Sequence, residues 1–310
     1  MNSILVSGSL AYDHIMNFPD LFKNHFLPEK LHNINVSFNV GQHAQYFGGT
    51  AGNIAYTLAL LGEKPAIIAT AGNDFNTYEQ HLIAAGVDLS LVKYDQNNPC
   101  SFAYILTDQA DNQITAFYPG AGGNRYAGIL PQAKLALVSP SCPPDMEAFP
   151  EIFKKQNTPV FFDPGQVIPA LSRKGLQSGI TNADVVFAND YEFSAMCNTT
   201  GWSEADMLEH GKTFVVTLGG QGTRVLSQNG GYKIPAVLVE NPVDPTGAGD
   251  AYRAGYAKGF IAGLAVELCV KLGSCAAAYA VETLGTQNHH FTMQEFRARY
   301  QSAYSEKCPV

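Results

Sequence analysis

Asp244-Pro-Thr-Gly-Ala-Gly-Asp250-Ala-Tyr-Arg-Ala-Gly-Tyr256 follows a strand-like segment and leads into a stretch of small residues with helical composition. Glycines at 247 and 249 let the chain turn tightly at the helix start, so that successive N–H groups can point at one anion. A carboxylate in the same turn would repel that anion unless it had a task of its own. Asp250 is suitably placed to accept a proton from an attacking hydroxyl, while the amides of Gly247, Ala248 and Gly249 neutralise charge on a transferring phosphoryl group. An isolated Gly-Ala-Gly-Asp would read as a capped turn. The length of this motif and the helix behind it favour phosphoryl chemistry.

Outward from this turn, short apolar β-prone runs at 4–7, 66–70, 135–139, 160–163, 185–188 and 213–217 alternate with helical stretches. That is the pattern of an α/β chain with a mainly parallel sheet covered on both faces. Helices are expected at 52–61 and 75–85, each stopped by a glycine, Gly62 and Gly86. Three more, rich in Ala and Gly, are expected at 248–263, 266–284 and 292–304. Two regions break the alternation. Residues 31–47 and 100–118 read as strands joined by turns, the second as a hairpin about Asp111-Asn112. Strands without helices, inserted early in such a chain, suggest a small sheet lying over the main one as a lid, with strands within about 13–47 and 100–118.

The 310 residues are enough for a sizeable core, and 46% apolar against 15% charged residues argues against long disorder. A net charge of −8 supplies no basic field for nucleic acid or an anionic membrane, so cations for an anionic substrate must be local. The six cysteines form no CxxC pair, which suggests neither a zinc site nor a disulfide framework. The N-terminus lacks a basic n-region and no apolar run approaches membrane-spanning length, so the cytoplasm is the expected location.

Other segments carry chemistry at expected element ends. Asn189 and Glu192 stand three apart where a helix would start, and their hard oxygens suit magnesium; the alternative is a helix cap with a solvated Glu. Thr217-Leu-Gly-Gly-Gln-Gly222 is a strand end where a nucleotide could lie against bare backbone, or simply a hairpin turn. Asp13 follows the first strand, where open α/β sheets bind ligands.

Together these segments resemble the ribokinase-like (PfkB) carbohydrate kinase family. The turn at 244–256 is similar to its C-terminal signature, and Gly48-Gly49-Thr-Ala-Gly-Asn53 through Leu61-Gly62 to its N-terminal one. Asn189-Asp-Tyr-Glu192 resembles its NxxE motif and residues 217–222 its nucleotide-binding loop, all in the family's order. The resemblance implies one ribokinase-like kinase domain over 1–310, doubly wound, with a β-sheet lid, using ATP and Mg2+. It further implies that Asn189 and Glu192 position the metal and phosphates, and that Thr217, Gly219, Gly222 and Ser274 lie with Asn189 on the nucleotide side. Asp13, Gly48, Gly49 and Asn53 would then grip sugar hydroxyls beneath the lid. Asp244 and Thr246, with carbonyls near 283–285, resemble a monovalent-cation site, so K+ is a further expected ligand.

Within that family the chain is similar to bacterial adenosine kinases, through Gly8-Ser9-Leu-Ala-Tyr-Asp13-His, Phe26-Leu-Pro-Glu-Lys-Leu-His32, Phe117-Tyr-Pro-Gly-Ala121, Thr200-Gly-Trp-Ser-Glu-Ala-Asp206 and Glu282-Thr-Leu-Gly-Thr-Gln287. The resemblance implies phosphorylation of a ribonucleoside 5′-hydroxyl, adenosine first. Phe102 and Phe117 of the lid hairpin offer aromatic faces for a base, or pack the lid onto the domain; the resemblance favours base contact. Ser9 and Ser37 are expected to hydrogen-bond the base. After Asp163-Pro164 only Gln166 is able to read a base edge, which leaves room for inosine, guanosine or another nucleoside. A sugar kinase and a non-catalytic nucleoside sensor are the alternatives, and the lid's strand edges are candidate sites for a homodimer.

Overall fold

The computed structural model describes residues 4–26, 30, 33, 35–110 and 112–310. Its main sheet has eight strands: β1 (Ile4–Ser7), β4 (Pro65–Ile68), β9 (Leu135–Val138), β10 (Val160–Phe162), β11 (Val185–Asn189), β12 (Phe214–Thr217), β13 (Thr223–Ser227) and β14 (Gly230–Ile234). They lie in the order β14-β13-β12-β11-β10-β9-β1-β4. Six run parallel, and β13 and β14 close one edge as an antiparallel hairpin. The parallel strands are apolar along their length because both faces are covered, and alternate residues serve different cores. Ile4, Val6, Leu135, Leu137, Phe161 and Phe187 face one hydrophobic cluster; Leu5, Ala136, Val138, Phe162 and Val186 face the other.

The first cluster is closed by α1 (Thr50–Leu60), α2 (Asn76–Ala84), α7 (Ala248–Ile261), α8 (Val266–Val281) and α9 (Met293–Tyr304). The second is closed by α3 (Pro143–Lys155), α4 (Arg173–Asn182), α5 (Asp190–Thr200) and α6 (Glu204–His210). This is the expected doubly wound α/β arrangement. Small residues let α7 and α8 meet backbone to backbone: a Cβ on Gly255 would lie 2.4 Å from the Leu272 carbonyl oxygen. No helix among the described residues is long and apolar enough to cross a membrane. All six cysteines are free thiols.

The second sheet has four strands in the order β3-β2-β7-β8: β2 (Ala11–Asn17), β3 (Gln42–Gly48), β7 (Ser101–Thr107) and β8 (Gln113–Tyr118). Two short strands, β5 (Thr70–Ala71) and β6 (Lys93–Tyr94), pair beside it. The hairpin expected at 100–118 forms as β7 and β8, with its turn residue Asp111 outside the described residues. The 31–47 expectation needs correction. Residues 31, 32 and 34 lie outside the description, 35–40 are irregular, and only β3 is a strand. Its partner is β2, whose mixed composition (Asp13, His14, Asn17) hides a strand that is only half covered. Of the quoted segment from Phe26 to His32, only Phe26 and Lys30 are described. The strand expected just before Asp244 is also absent: β14 ends at Ile234, and the chain to Gly247 is irregular.

Candidate active site

Sheet order brings two distant turns together. One is the end of β3, where Gly49 leads into α1 with φ +85°. A Cβ there would lie 2.5 Å from the Ser9 carbonyl oxygen, so only glycine allows the lid strand to return this close to the end of β1. The other is the start of α7, where Gly247 adopts the left-handed conformation, φ 78°. α1 and α7 lie side by side, and Asn53 donates from Nδ2 to Asp250 Oδ2 at 2.8 Å. This joins the two ends of the sequence at one carboxylate. Burial raises Asp250 to about 6 against the opposing pull of the Arg253 guanidinium and the Asn53 hydrogen bond. Burial, with the nearby Asp244 charge, raises Asp13 to about 6 as well. Both carboxyls therefore titrate close to neutrality, as a general base needs to.

The anion turn differs in detail from the expectation. The Ala248 N–H closes a turn on the Pro245 carbonyl at 3.2 Å. Asp244 is a staple: one carboxylate oxygen accepts the Thr246 N–H at 2.9 Å and the other the Gly285 N–H at 3.0 Å. Chain 283–285 is thereby drawn against 244–246. With both its oxygens engaged by main-chain N–H groups, Asp244 shapes the turn at which a monovalent cation is expected. Under the turn lies a feature missed in the sequence. Arg253 is buried and forms an ion pair with buried Asp163, donating from Nη2 to Oδ1 at 2.8 Å. The charges of Asp163, Asp250 and Glu192 all act on the guanidinium, and a Cβ on Gly249 would lie 2.6 Å from its Nη1. A single Arg in an otherwise ordinary helix carried no signal of a partner 90 residues away.

On the side expected to hold the nucleotide, Asn189 and Glu192 form a reciprocal capping box at the start of α5: Glu192 N–H donates to Asn189 Oδ1 at 2.7 Å and Asn189 N–H to Glu192 Oε2 at 2.8 Å. The cap and the ligand readings are compatible, because Glu192 keeps one oxygen and its charge acts on Asp250 and Asp163. One carboxylate oxygen with waters and phosphates suits Mg2+. Among the described residues there is no cluster of three or more His, Cys, Asp or Glu that would hold a metal alone. Thr217 ends β12, and Gly219 and Gly222 bracket the turn into β13, both at positive φ. Ser274 Oγ accepts the Val237 N–H at 2.9 Å and so ties α8 to the chain after β14.

The lid residues separate. Asp13 pairs with Tyr46 and Ala103, and Ala103 with Phe117, so Asp13, Tyr46 and Phe117 share one sheet face. Phe102 pairs with Tyr12 and Tyr118 on the opposite face. This register puts the two phenylalanines offered for a base on opposite faces of the small sheet. Phe117 remains exposed at 58%, whereas Phe102 packs toward the core and Tyr118. Ser9 Oγ accepts the Thr50 N–H at 3.1 Å and so braces the start of α1. Ser37 and Gln166 are exposed and make no side-chain hydrogen bond among the described residues. Gly48 lies against Asp13: a Cβ there would be 2.1 Å from Asp13 Oδ2. Gln287, Tyr78 and His81, none of which stood out in the sequence as site residues, form a polar chain behind Asn53.

Residues 1–292 match the model of the pfkB family of carbohydrate kinases. The chain is 30% identical over 293 residues to a nucleoside kinase of Methanocaldococcus jannaschii, covering 93% of each protein. Its structure resembles that of Burkholderia thailandensis nucleoside kinase solved in complex with inosine, with a TM-score of 0.91, 35% identity and coverage of 98% of this chain and 99% of that one. The same Burkholderia kinase solved in complex with ADP-inosine gives a TM-score of 0.88 at 36% identity, covering 98% and 97%. The chain belongs to the pfkB family of carbohydrate kinases and is a phosphotransferase that acts on a hydroxyl group.

Proposed function

We propose that this protein is an ATP-dependent nucleoside kinase that transfers the γ-phosphoryl group to the 5′-hydroxyl of a purine ribonucleoside, adenosine among them. The observation that carries this reading is the Asn53–Asp250 contact at 2.8 Å, which sets a base with a near-neutral pKa at the first turn of α7. Asp13 and Phe117 share one face of the small sheet, which supports Asp13 gripping ribose hydroxyls and Phe117 offering the aromatic surface for the base. The Gln166 amide can turn either its donor or its acceptor toward a base edge, which suits adenine and hypoxanthine alike. The relatives named nucleoside kinases, and the inosine in the Burkholderia complex, support a nucleoside over a free sugar.

In this reading Asp250 takes the 5′-hydroxyl proton as the oxygen attacks the γ-phosphorus, and the open first-turn amides of α7 accept charge on the transferring group. Mg2+ beside Glu192 and Asn189 would offset phosphate charge, and K+ beside Asp244 and Thr246 would hold the turn. The lid excludes water from the transfer. A homodimer through the lid is part of the proposal, because β8 is exposed along its length and carries Ile114, Phe117 and Tyr118. The test is ATP consumption with Mg2+ and a panel of adenosine, inosine, guanosine, cytidine and ribose, run beside Asp250→Asn. Turnover confined to purine nucleosides and lost in the variant is expected. Turnover with ribose alone would replace the substrate, and full activity of Asp250→Asn would remove Asp250 as the base.

A further inference from the structure

Four side chains behind the base form one hydrogen-bonded chain whose polarity is set from its far end. Tyr78, buried, donates its only hydroxyl proton to the Gly48 carbonyl oxygen at 2.7 Å. A carbonyl can only accept, so the Tyr78 oxygen must accept from its other neighbour, the Gln287 amide. That turns the nitrogen of Gln287 toward Tyr78 and its oxygen toward His81, whose Nε2 lies 3.1 Å away and donates. The second hydrogen of the same Gln287 nitrogen meets Asn53 Oδ1 at 2.9 Å. Asn53 must then present its nitrogen, not its oxygen, to Asp250 Oδ2. Gln287 is itself buried, and His81 is stacked between Phe47 at 4.6 Å and Tyr56 at 5.4 Å. No member of the chain can rotate its amide without leaving a buried group unpaired.

We propose that Gln287 and His81 are positioning residues for phosphoryl transfer: they lock the Asn53 amide so that Asp250 meets a donor, stays ionised, and keeps one carboxylate oxygen free for the substrate hydroxyl. This rests on the reading of Asp250 as the base. The other charges facing Asp250 are Arg253 on α7, Asp13 on β2, Glu192 on α5 and Asp163 after β10; Gln287→Glu leaves these in place but adds a carboxylate of its own, which pushes Asp250 the same way, so the His81 pair, which adds no charge, is the discriminating arm.

Gln287→Glu tests the inference by reversing the polarity of the chain. Glutamate offers an oxygen where the Gln287 nitrogen stood, so Asn53 turns its nitrogen to residue 287 and its oxygen to Asp250, which must then hold a proton. The acidic limb of kcat/KM against pH is expected to move up by about one to two pH units, with activity recovered on the alkaline side. His81→Phe keeps the aromatic stack but removes the donor and is expected to lower kcat more than it raises KM, and His81→Gln, which restores an N–H donor, is expected to recover it. A pH-independent loss in Gln287→Glu, or equal kcat in the two His81 variants, would overturn the proposal. Should Gln287→Glu not fold, the His81 pair decides alone. Asp250→Asn, run alongside, separates the cases: if it is active the base assignment itself fails, and if it is inactive while the Gln287→Glu limb stays put, only the positioning role fails.

Discussion

Gly52→Ala is the substitution for which local propensity and tertiary packing predict opposite signs. Gly52 lies in the first turn of α1, and alanine within a helix is favoured over glycine by up to about 1 kcal/mol. In this fold the new Cβ would lie 1.8 Å from the Tyr78 hydroxyl oxygen, 2.9 Å from its ring carbon Cζ and 3.0 Å from Gln287 Nε2. Tyr78 is fully buried and must shift, which costs about 1–3 kcal/mol as overpacking. Moving its hydroxyl also loosens the bonds to the Gly48 carbonyl and from Gln287, at about 1 kcal/mol or more each where the groups stay buried. Against the helix gain, the net is a loss of about 2–4 kcal/mol. Urea unfolding with an unchanged m-value would measure it. The decisive control is a double-mutant cycle with Tyr78→Phe, which removes the nearest clashing atom and both bonds, so that Gly52→Ala should cost at least about 1 kcal/mol less there. A stabilised Gly52→Ala, or the same cost in both backgrounds, would refute the reasoning.

Three further outcomes follow from the site. Asp250 and Asp13 are each raised to about 6 in the folded protein, so the stability tied to their protonation is present below the unfolded value of 3.8 and is lost as pH rises through about 6. Asp250→Asn should therefore raise the melting temperature of the ligand-free protein at pH 8 and bring little advantage at pH 4; thermal melts across that range check the sign. Arg253→Met leaves Asp163 buried beside Asp250 and Glu192 without its cation, and should cost about 3–5 kcal/mol in urea unfolding. Phe117→Ala should raise KM for a purine nucleoside about tenfold or more with little change in melting temperature, at about 1–3 kcal/mol for one stacked ring, whereas Phe102→Ala should act mainly on stability.

Much of the architecture was legible because it is written in local pattern. A strand covered on both faces must be apolar throughout, so β1, β9, β10, β11 and β12 appear as short uninterrupted runs within one residue of their observed limits. The anion turn is legible for a related reason. Tight turning at 247 needs a left-handed residue, and the carboxylate that follows in the first helical turn is conspicuous beside the proposed anion site. The strand β2 was not legible, since Ala11-Tyr-Asp-His-Ile-Met-Asn17 has neither a continuous apolar run nor a strict alternation of polar and apolar residues and so shares its texture with a loop. The start of α5 was anticipated, but the reciprocal bonding of Asn189 and Glu192 that makes it a capping box appears only in three dimensions.

Residue types and their order along the chain determined by themselves the α/β class, and they singled out the glycine turn at 247–249 and Asp250 as the proposed anion turn and base. Tertiary structure decided what each polar group faces. Gln287 reaches Asn53 across 234 positions and Arg253 reaches Asp163 across 90, and neither separation has any periodicity to read. A one-residue matter of register put Phe117 on the face of Asp13 and Phe102 on the other. Ser9 and Ser274 each accept a main-chain N–H that only the packing of α1 and α8 brought to them. Local pattern encodes which element a residue joins, because steric and burial preferences act over a few positions. A buried hydrogen bond is satisfied only by the group that folding places opposite it, and that partner is set by the packing of the whole sheet and its helices.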